Sequence, residues 1–356
     1  MNTLEQSYTS GLSRYRIKTI LVIAVFWTLI DFLLLVLTDI SHLPNPMRSI
    51  IAREALVFLM SFILGYLFVF TLKTIFRRFP LWINFLLKTL VILFAALLMN
   101  FLVHIVQDLV LLNYSLSDAM NKFFRESMHR GWLVEKTIYW VFLLIVTQLY
   151  IEVNEKYSPG VFLDIIMGKY FHPKVENRIV MFIDLKDSTP IAEKLGHQHY
   201  FLFIREFIYN VSMALIEYNG RIYQYVGDEI VVSWSTNRKN IRRCLASVIE
   251  ARKNIQKNSE RFRRLYSIIP EFRVGIHVGD VTVGEIGVIK KDLAMSGDTM
   301  NTTARIRSAC NELNQKFIVS REFFELSELK DWQAESLGMV DLKGKSSEVE
   351  LYSLKI

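Results

Sequence analysis

The chain is expected to fold as an N-terminal all-α transmembrane bundle of four helices followed by a C-terminal α+β domain with a ferredoxin-like layer. Three observations predict this. The composition is 52% hydrophobic and 22% charged, with a mean hydropathy of +0.27, too apolar for an ordinary soluble domain and too charged for a bare membrane bundle. The apolar residues crowd before Val153. From Arg178 onward the pattern switches to short β-branched runs separated by helical stretches.

Four stretches approach or exceed the roughly 20 apolar residues that a helix needs to cross a bilayer: Ile17 to Thr38, Ala55 to Leu72, Phe85 to Leu112 and Leu133 to Val153. Leu56 to Phe70 and Thr89 to Val103 are apolar on every face, unlike a half-exposed core helix. The first stretch is too long for a signal-peptide core, and no small-x-small cleavage site follows it, so it is expected to stay as an anchor. Arg14, Arg16 and Lys18 precede the first span, and Lys73, Arg77 and Arg78 fill the second connection, which places both on the cytoplasmic side. An even number of spans then returns the chain to that side. The connection from Asn113 to Trp132 reads as a loop carrying charges of both signs.

Asp31 in the first span and His104 in the third both fall in the outer half of the bilayer. Ionisable groups at that depth pair or line a cavity, so the two form a candidate sensing couple. The other reading is that Asp31 specifies helix packing.

Residues 1–153 are therefore assigned to the membrane bundle, 154–176 to a linker and 177–356 to the soluble domain. The linker carries Ser158, Pro159 and Gly160 and then an amphipathic run, Val161 to Met167, which is either a transmitter of motion or a passive tether. Beyond it, Ile179 to Leu185, Arg221 to Val226, Glu229 to Trp234, Phe272 to Val278 and Val281 to Ile286 read as strands. Thr189 to Tyr218, Asn240 to Asn258 and Thr299 to Leu313 read as helices. A strand, a long helix and two strands joined at Gly227-Asp228 start a βαββαβ layer. One sheet face should carry helices and leave the other for a partner or substrate.

The net charge of +7 raises nucleic acid as a partner, but the basic residues are scattered and form no stripe, so none is expected. Cys244 and Cys310 have no partner at metal-ligand spacing and read as reduced, buried thiols.

The chemistry is written in four places. The strand Val180 to Asp184 is apolar until it ends in a carboxylate, and the Gly227-Asp228 turn puts a second one at a strand junction. If the strands are neighbours, Asp184 and Asp228 converge into the oxygen-ligand pair that two Mg²⁺ ions require. Asn301 and Arg305 lie four apart at the start of a helix and point the same way. An amide and a guanidinium on one face suit a ribose and a phosphate bearing developing charge. Lys343, in Leu342-Lys343-Gly344-Lys345, can reach the phosphates of a leaving pyrophosphate.

FIDLKDST, QYVGDE, GDTMNTTAR and LKGK follow one another in the order and spacing of class III nucleotidyl cyclase catalytic domains, which the chain resembles from about Gly168 to Ile356. The resemblance, to the bacterial membrane-anchored type, implies that Asp184 and Asp228 are the metal aspartates, Asn301 and Arg305 the transition-state pair and Lys343 the triphosphate lysine. It implies a homodimer in which one subunit supplies the metal aspartates and the other the Asn, Arg and Lys. It also implies two Mg²⁺ per site, with Mn²⁺ able to substitute, and conversion of ATP to 3′,5′-cyclic AMP and pyrophosphate. The protein would then be a multi-pass protein of the inner membrane, in contact with lipid, with its catalytic domain cytoplasmic. The chain departs from the family pattern at the base-reading positions. Gln224 stands where adenylate cyclases typically carry Lys, and Ala294 where Asp or Thr usually reads adenine; neither position has the Glu and Cys of guanylate cyclases. GTP or a pyrimidine triphosphate therefore stays open as substrate, and so does a non-catalytic nucleotide-binding role. A diguanylate cyclase would also carry an early Asp and a Gly-Asp-Glu hairpin, but it has no need of Asn301 and Arg305.

Overall fold

A computed structural model describes residues 10–38, 46–72, 80–111, 113–127, 131–156, 164, 167–289, 292–329, 333–345 and 347–355. The chain divides into two compact units, one of residues 13–156 and one built on residues 157–356.

The first unit is helical throughout its described elements. Helix α1 spans Ser10–Thr38, α2 spans Pro46–Tyr66 and continues as a π-helical turn Leu67–Leu72, α3 spans Leu81–Leu111, α4 spans Leu116–Ser127 and α5 spans Trp132–Lys156. Four of them contain segments long and apolar enough to cross a membrane: Arg16–Leu37, Ile50–Phe70, Trp82–Leu109 and Leu133–Glu152. Ile20, Trp27, Val57, Met99, Trp140 and Leu143 are buried in their shared core, while Leu29, Phe94 and Phe142 stand exposed on the outside. Polar pairs also tie the helices together, among them Trp27 Nε1 donating to Thr147 Oγ1 at 2.7 Å and Asn100 Nδ2 to Thr137 Oγ1 at 2.9 Å.

Two expectations about this unit are corrected. The supposed Asn113–Trp132 loop contains α4, whose N-terminus is capped by Ser115 Oγ accepting from the Asp118 amide at 3.2 Å. Ala119 and Phe123 form its buried face, a pattern too short to stand out between long apolar runs. Asp31 and His104 do not meet. Asp31 is fully buried and accepts from Arg53 Nε at 2.7 Å, Arg53 Nη2 at 3.0 Å and the Tyr139 hydroxyl at 3.2 Å. His104 instead lies 3.3 Å from Asp108 and 3.7 Å from Glu126. Arg53 carries no signal in sequence because it precedes the apolar run that begins at Ala55, yet α2 starts at Pro46. A planar guanidinium offers a buried carboxylate two donors at once, which an imidazole cannot.

The basic flank Lys73, Arg77 and Arg78 lies outside the described residues, as does the run Val161–Met167 apart from Asp164 and Met167.

The second unit is a sheet carrying helices. In chain order it contains β1 (Lys174–Leu185), α6 (Ser188–Glu217), β2 (Arg221–Val226), β3 (Glu229–Ser235), α7 (Arg238–Lys257), α8 (Ser259–Tyr266), β4 (Phe272–Ile286), β5 (Asp292–Ser296), α9 (Asp298–Glu312), β6 (Phe317–Ser320), α10 (Arg321–Ser327), β7 (Ala334–Val340) and β8 (Val349–Leu354). The sheet order is β2-β3-β1-β4-β6-β8-β7, with β5 paired to β4. Its first four strands are antiparallel neighbours, so β1 and β2 run parallel with β3 between them, the split βαβ of a ferredoxin-like layer.

Alternation in β1 sorts its side chains. Ile179, Met181, Ile183 and Leu185 enter the main core with Phe203, Phe207, Val248 and Phe262 from the helices. Each such fully buried side chain stabilises the fold by about 1.5–3 kcal/mol. Val180 and Phe182 point to the opposite face, and this face is not left open as expected. Helix α9 and the β5 strand cover it, packing Met300, Ala304 and Met295 against Val180, Phe182 and Val231.

The helix expected from Thr189 to Tyr218 is broken at Gly196, which has a φ of 70°. The two strands expected at Phe272–Val278 and Val281–Ile286 are one continuous β4. Gly279, which falls between the two expected strands, is small for a packing reason. A Cβ there would lie 2.5 Å from Thr299 Oγ1, and one at Gly275 would lie 2.4 Å from the Arg307 amide nitrogen. These two glycines form the seat on which α9 rests. Both cysteines are free and buried, and Cys310 donates to the Val274 carbonyl; burial pushes its thiol up to about 12.

Candidate active site

The strand register brings the first two candidates together. Ile183 pairs with Ile230, so the β2–β3 turn lies beside the end of β1. Gly227 supplies that turn's positive φ of 61°, the conformation that a two-residue hairpin needs at its first position. Asp184 and Asp228 consequently crowd one another. Burial is the main cause that raises the Asp184 carboxyl to about 6; Arg307 opposes the rise, while Asp228 and Glu229 add to it. Burial likewise raises Glu229. Asp228 Oδ2 is buried and accepts no hydrogen bond from the described residues.

Two residues here were not singled out from the sequence. Arg307 Nη1 donates to Asp184 Oδ2 at 3.3 Å, and Arg307 Nη2 lies 2.6 Å from Glu229 Oε2. Glu229 was legible as the residue directly after Asp228 at the head of β3. Arg307 was legible only by counting, since it stands two residues after Arg305 and so on the other flank of α9.

The second group assembles at the N-terminal half of α9. Asn301 is exposed and Arg305 half-buried. A Cβ on Gly344 would lie 3.4 Å from Arg305 Nη2, so the guanidinium rests against the turn that carries exposed Lys343. Lys345, also unremarked in the sequence, ties that turn to the start of α9 through Asp298 Oδ2 at 3.1 Å. Successive residues turn by about 100° around a helix, so Arg305 and Arg307 point some 200° apart. The Asn301–Arg305 face and the carboxylates held by Arg307 therefore lie on different sides of α9.

The base-reading candidates sit on β2 and β5. Gln224 is exposed and follows a bulge in the β2–β3 ladder, and half-buried Ala294 pairs with Gly284. Their neighbours are bonded to each other, the Met295 amide donating to the Tyr223 hydroxyl at 3.0 Å.

A hard divalent cation suits the Asp184–Asp228 pair, because it would fill the unmet Oδ2 of Asp228 and offset the carboxylate crowding that adds to the effect of burial on Asp184. Among the described residues, no group of three or more His, Cys, Asp or Glu is placed to hold a metal. Two aspartates alone leave most of an oxygen shell to be completed by other ligands.

Residues 171–356 match the family described as "Adenylate and Guanylate cyclase catalytic domain". Adenylate cyclase 2 of Rhizobium meliloti is 31% identical over 206 residues, covering 57% of this chain and 57% of that protein. Receptor-type guanylate cyclase gcy-10 of Caenorhabditis elegans is 24% identical over 208 residues, covering 56% of this chain and 19% of its own length. The chain thus spans little more than half of the first relative's length. A solved bacterial light-regulated adenylyl cyclase superposes with a TM-score of 0.52 at 17% identity, over 64% of this chain and 66% of that one, a likeness of fold. With the ferredoxin-like layer and the ordered motifs, the match makes this chain a member of the adenylate and guanylate cyclase family.

Proposed function

We propose that the protein is a membrane-anchored adenylate cyclase that converts ATP to 3′,5′-cyclic AMP and pyrophosphate at the interface of a homodimer. The observation that carries this is the division of labour around α9. The chain holds a carboxylate pair suited to metal on one flank and an Asn-Arg-Lys group suited to phosphate on another, so one protomer presents two complementary half-sites. Pairing two copies about a twofold axis would join each half to its counterpart and produce two equivalent sites.

Asp184 and Asp228 would hold two Mg²⁺, or Mn²⁺ in their place. These ions, when bound, supply Lewis acidity to the attacking 3′-hydroxyl and to the phosphate oxygens. Arg307 partly neutralises Asp184 and Glu229 before the cations arrive. From the partner's half-site, Asn301 would hold the ribose so that the 3′-oxygen stays in line. Arg305 would neutralise the charge that grows on the α-phosphate, and Lys343 would hold the leaving pyrophosphate. No covalent intermediate with the protein is needed; positioning and charge carry the rate.

The four apolar helices, with Leu29, Phe94 and Phe142 facing outward, support an anchor that spans the cell membrane, since such an exterior suits hydrocarbon better than water. The basic residues flanking the first span and filling the second connection favour a cytoplasmic catalytic domain. ATP is the preferred substrate because relatives carry the name adenylate cyclase. Ala294, which can neither donate nor accept through its side chain, makes no contact specific to adenine, so GTP or a pyrimidine triphosphate is the second reading. Turnover of ATP, GTP, CTP and UTP by purified full-length protein with Mg²⁺ or Mn²⁺ decides between them. Cyclic AMP that vanishes in Asp228→Ala supports the proposal, a different cyclic nucleotide transfers the base assignment to Gln224 and Ala294, and no product at all leaves a nucleotide-binding role.

A further inference from the structure

Four basic residues within six positions, between Arg238 and Arg243, stand together on the second unit. Arg238, Lys239, Arg242 and Arg243 project from the first two turns of α7 and, with Tyr218 and Ala246, line a groove of about 500 Å³. That volume falls within the range of small-molecule sites. Arg238 and Arg242 both pair with Glu328, at 2.6 and 3.2 Å, and Arg243 donates to Asn240 Oδ1 at 3.1 Å. Arg238 and Arg242 share the Glu328 carboxylate, so the four cations give the groove a net positive rim over a largely apolar wall.

Guanidinium forks take phosphate oxygens two at a time. The methylene stems of the same side chains and the Tyr218 ring offer apolar wall to the body that carries the phosphate. The groove is also remote from the carboxylate pair. The Tyr218 carbonyl accepts from Trp234 Nε1 at 3.0 Å, and Trp234 stands about 17 Å along β3 from Glu229. From the concavity, its charge and its position, we infer that the groove is a second anion site that binds a phosphate group on a small organic body. Its source is either a soluble phosphorylated molecule or the headgroup of an anionic lipid.

The test is binding of inorganic pyrophosphate, by calorimetry, to the full-length protein in nanodiscs of neutral lipid. EDTA is present so that metal-dependent binding at Asp184 and Asp228 is suppressed. Saturable binding that persists in Lys343→Ala, which removes the proposed catalytic pyrophosphate contact, is expected, about tenfold weaker for each cation lost in Arg238→Gln and in Arg238→Gln/Arg243→Gln. These side chains lie at the surface, and an unaltered melting temperature confirms that the variants fold. With phosphatidylglycerol in the discs, weakened pyrophosphate binding assigns the groove to lipid headgroups, and unchanged binding assigns it to a soluble molecule. No saturable binding, equal binding in the double variant, or loss of binding in Lys343→Ala overturns the inference. Because the readout is binding without turnover, it can fail or succeed independently of the cyclase reading.

Discussion

Both units bury carboxylates, and they treat them in opposite ways. Asp31 in the helical unit is fully enclosed and accepts three hydrogen bonds, two from Arg53 and one from Tyr139. Asp184 in the second unit has one cation, Arg307, shared with Glu229 and crowded by Asp228, whose Oδ2 accepts nothing from the described residues. A buried charge that is satisfied serves as a clasp; one left short of donors is a place where a cation gains by binding. The contrast separates structure from chemistry without reference to any motif.

Breaking each carboxylate should therefore have opposite effects on stability. The largest difference is expected in turnover. Asp184→Asn should lower cyclic nucleotide formation by about a thousandfold, as for loss of a principal electrostatic contributor, while raising the melting temperature of the metal-free protein. The stability gain is on the order of 3 kcal/mol, because the carboxyl is raised from 3.8 to about 6 in the fold. Asp31→Asn should do the reverse. It leaves the Arg53 guanidinium without its anion and costs about 3 kcal/mol in thermal unfolding in detergent, and Asp31→Leu/Arg53→Leu should be milder than the sum of the two single changes.

The sign of the pH dependence sharpens the same comparison. In the fold Asp184 keeps its proton up to about 6, while the unfolded chain releases it near 3.8. Its contribution to stability is thus intact below 3.8, is lost as pH rises through that window, and is a full cost above 6. A cation removes that cost at pH 7.5 but has to displace a proton at pH 5. The melting temperature should rise on adding Mg²⁺ or Mn²⁺ at pH 7.5, rise less at pH 5, and not respond in Asp228→Ala. The smallest effect is expected from Tyr139→Phe, about 1 kcal/mol for one hydrogen bond to Asp31; a neutral result would remove Tyr139 from the clasp.

The parts legible in the sequence were those governed by local pattern. The four long apolar helices, the alternation of β1 and the Gly227-Asp228 hairpin follow from period and turn chemistry, and register then brings Asp184 to Asp228. What could not be read depended on contacts distant in sequence. Arg53 lies outside its apolar run but inside its helix, so its pairing with Asp31 across 22 positions carries no periodic signal. Gly279 carries no signal in sequence for its packing role, because its neighbour Thr299 is known only once α9 is docked. Arg307 shows no role until that helix is seated on Gly275 and Gly279 with one flank against Glu229.

The central claim is that each site takes Asp184 and Asp228 from one chain and Asn301, Arg305 and Lys343 from another. The most direct test is to co-express Asp228→Ala with Arg305→Ala, each inactive by itself, and measure cyclic nucleotide formation. Random pairing should restore about a quarter of wild-type turnover, since half of the dimers then hold one intact site out of two. A mixture no more active than either variant alone would contradict the shared site and require each chain to work with its own residues.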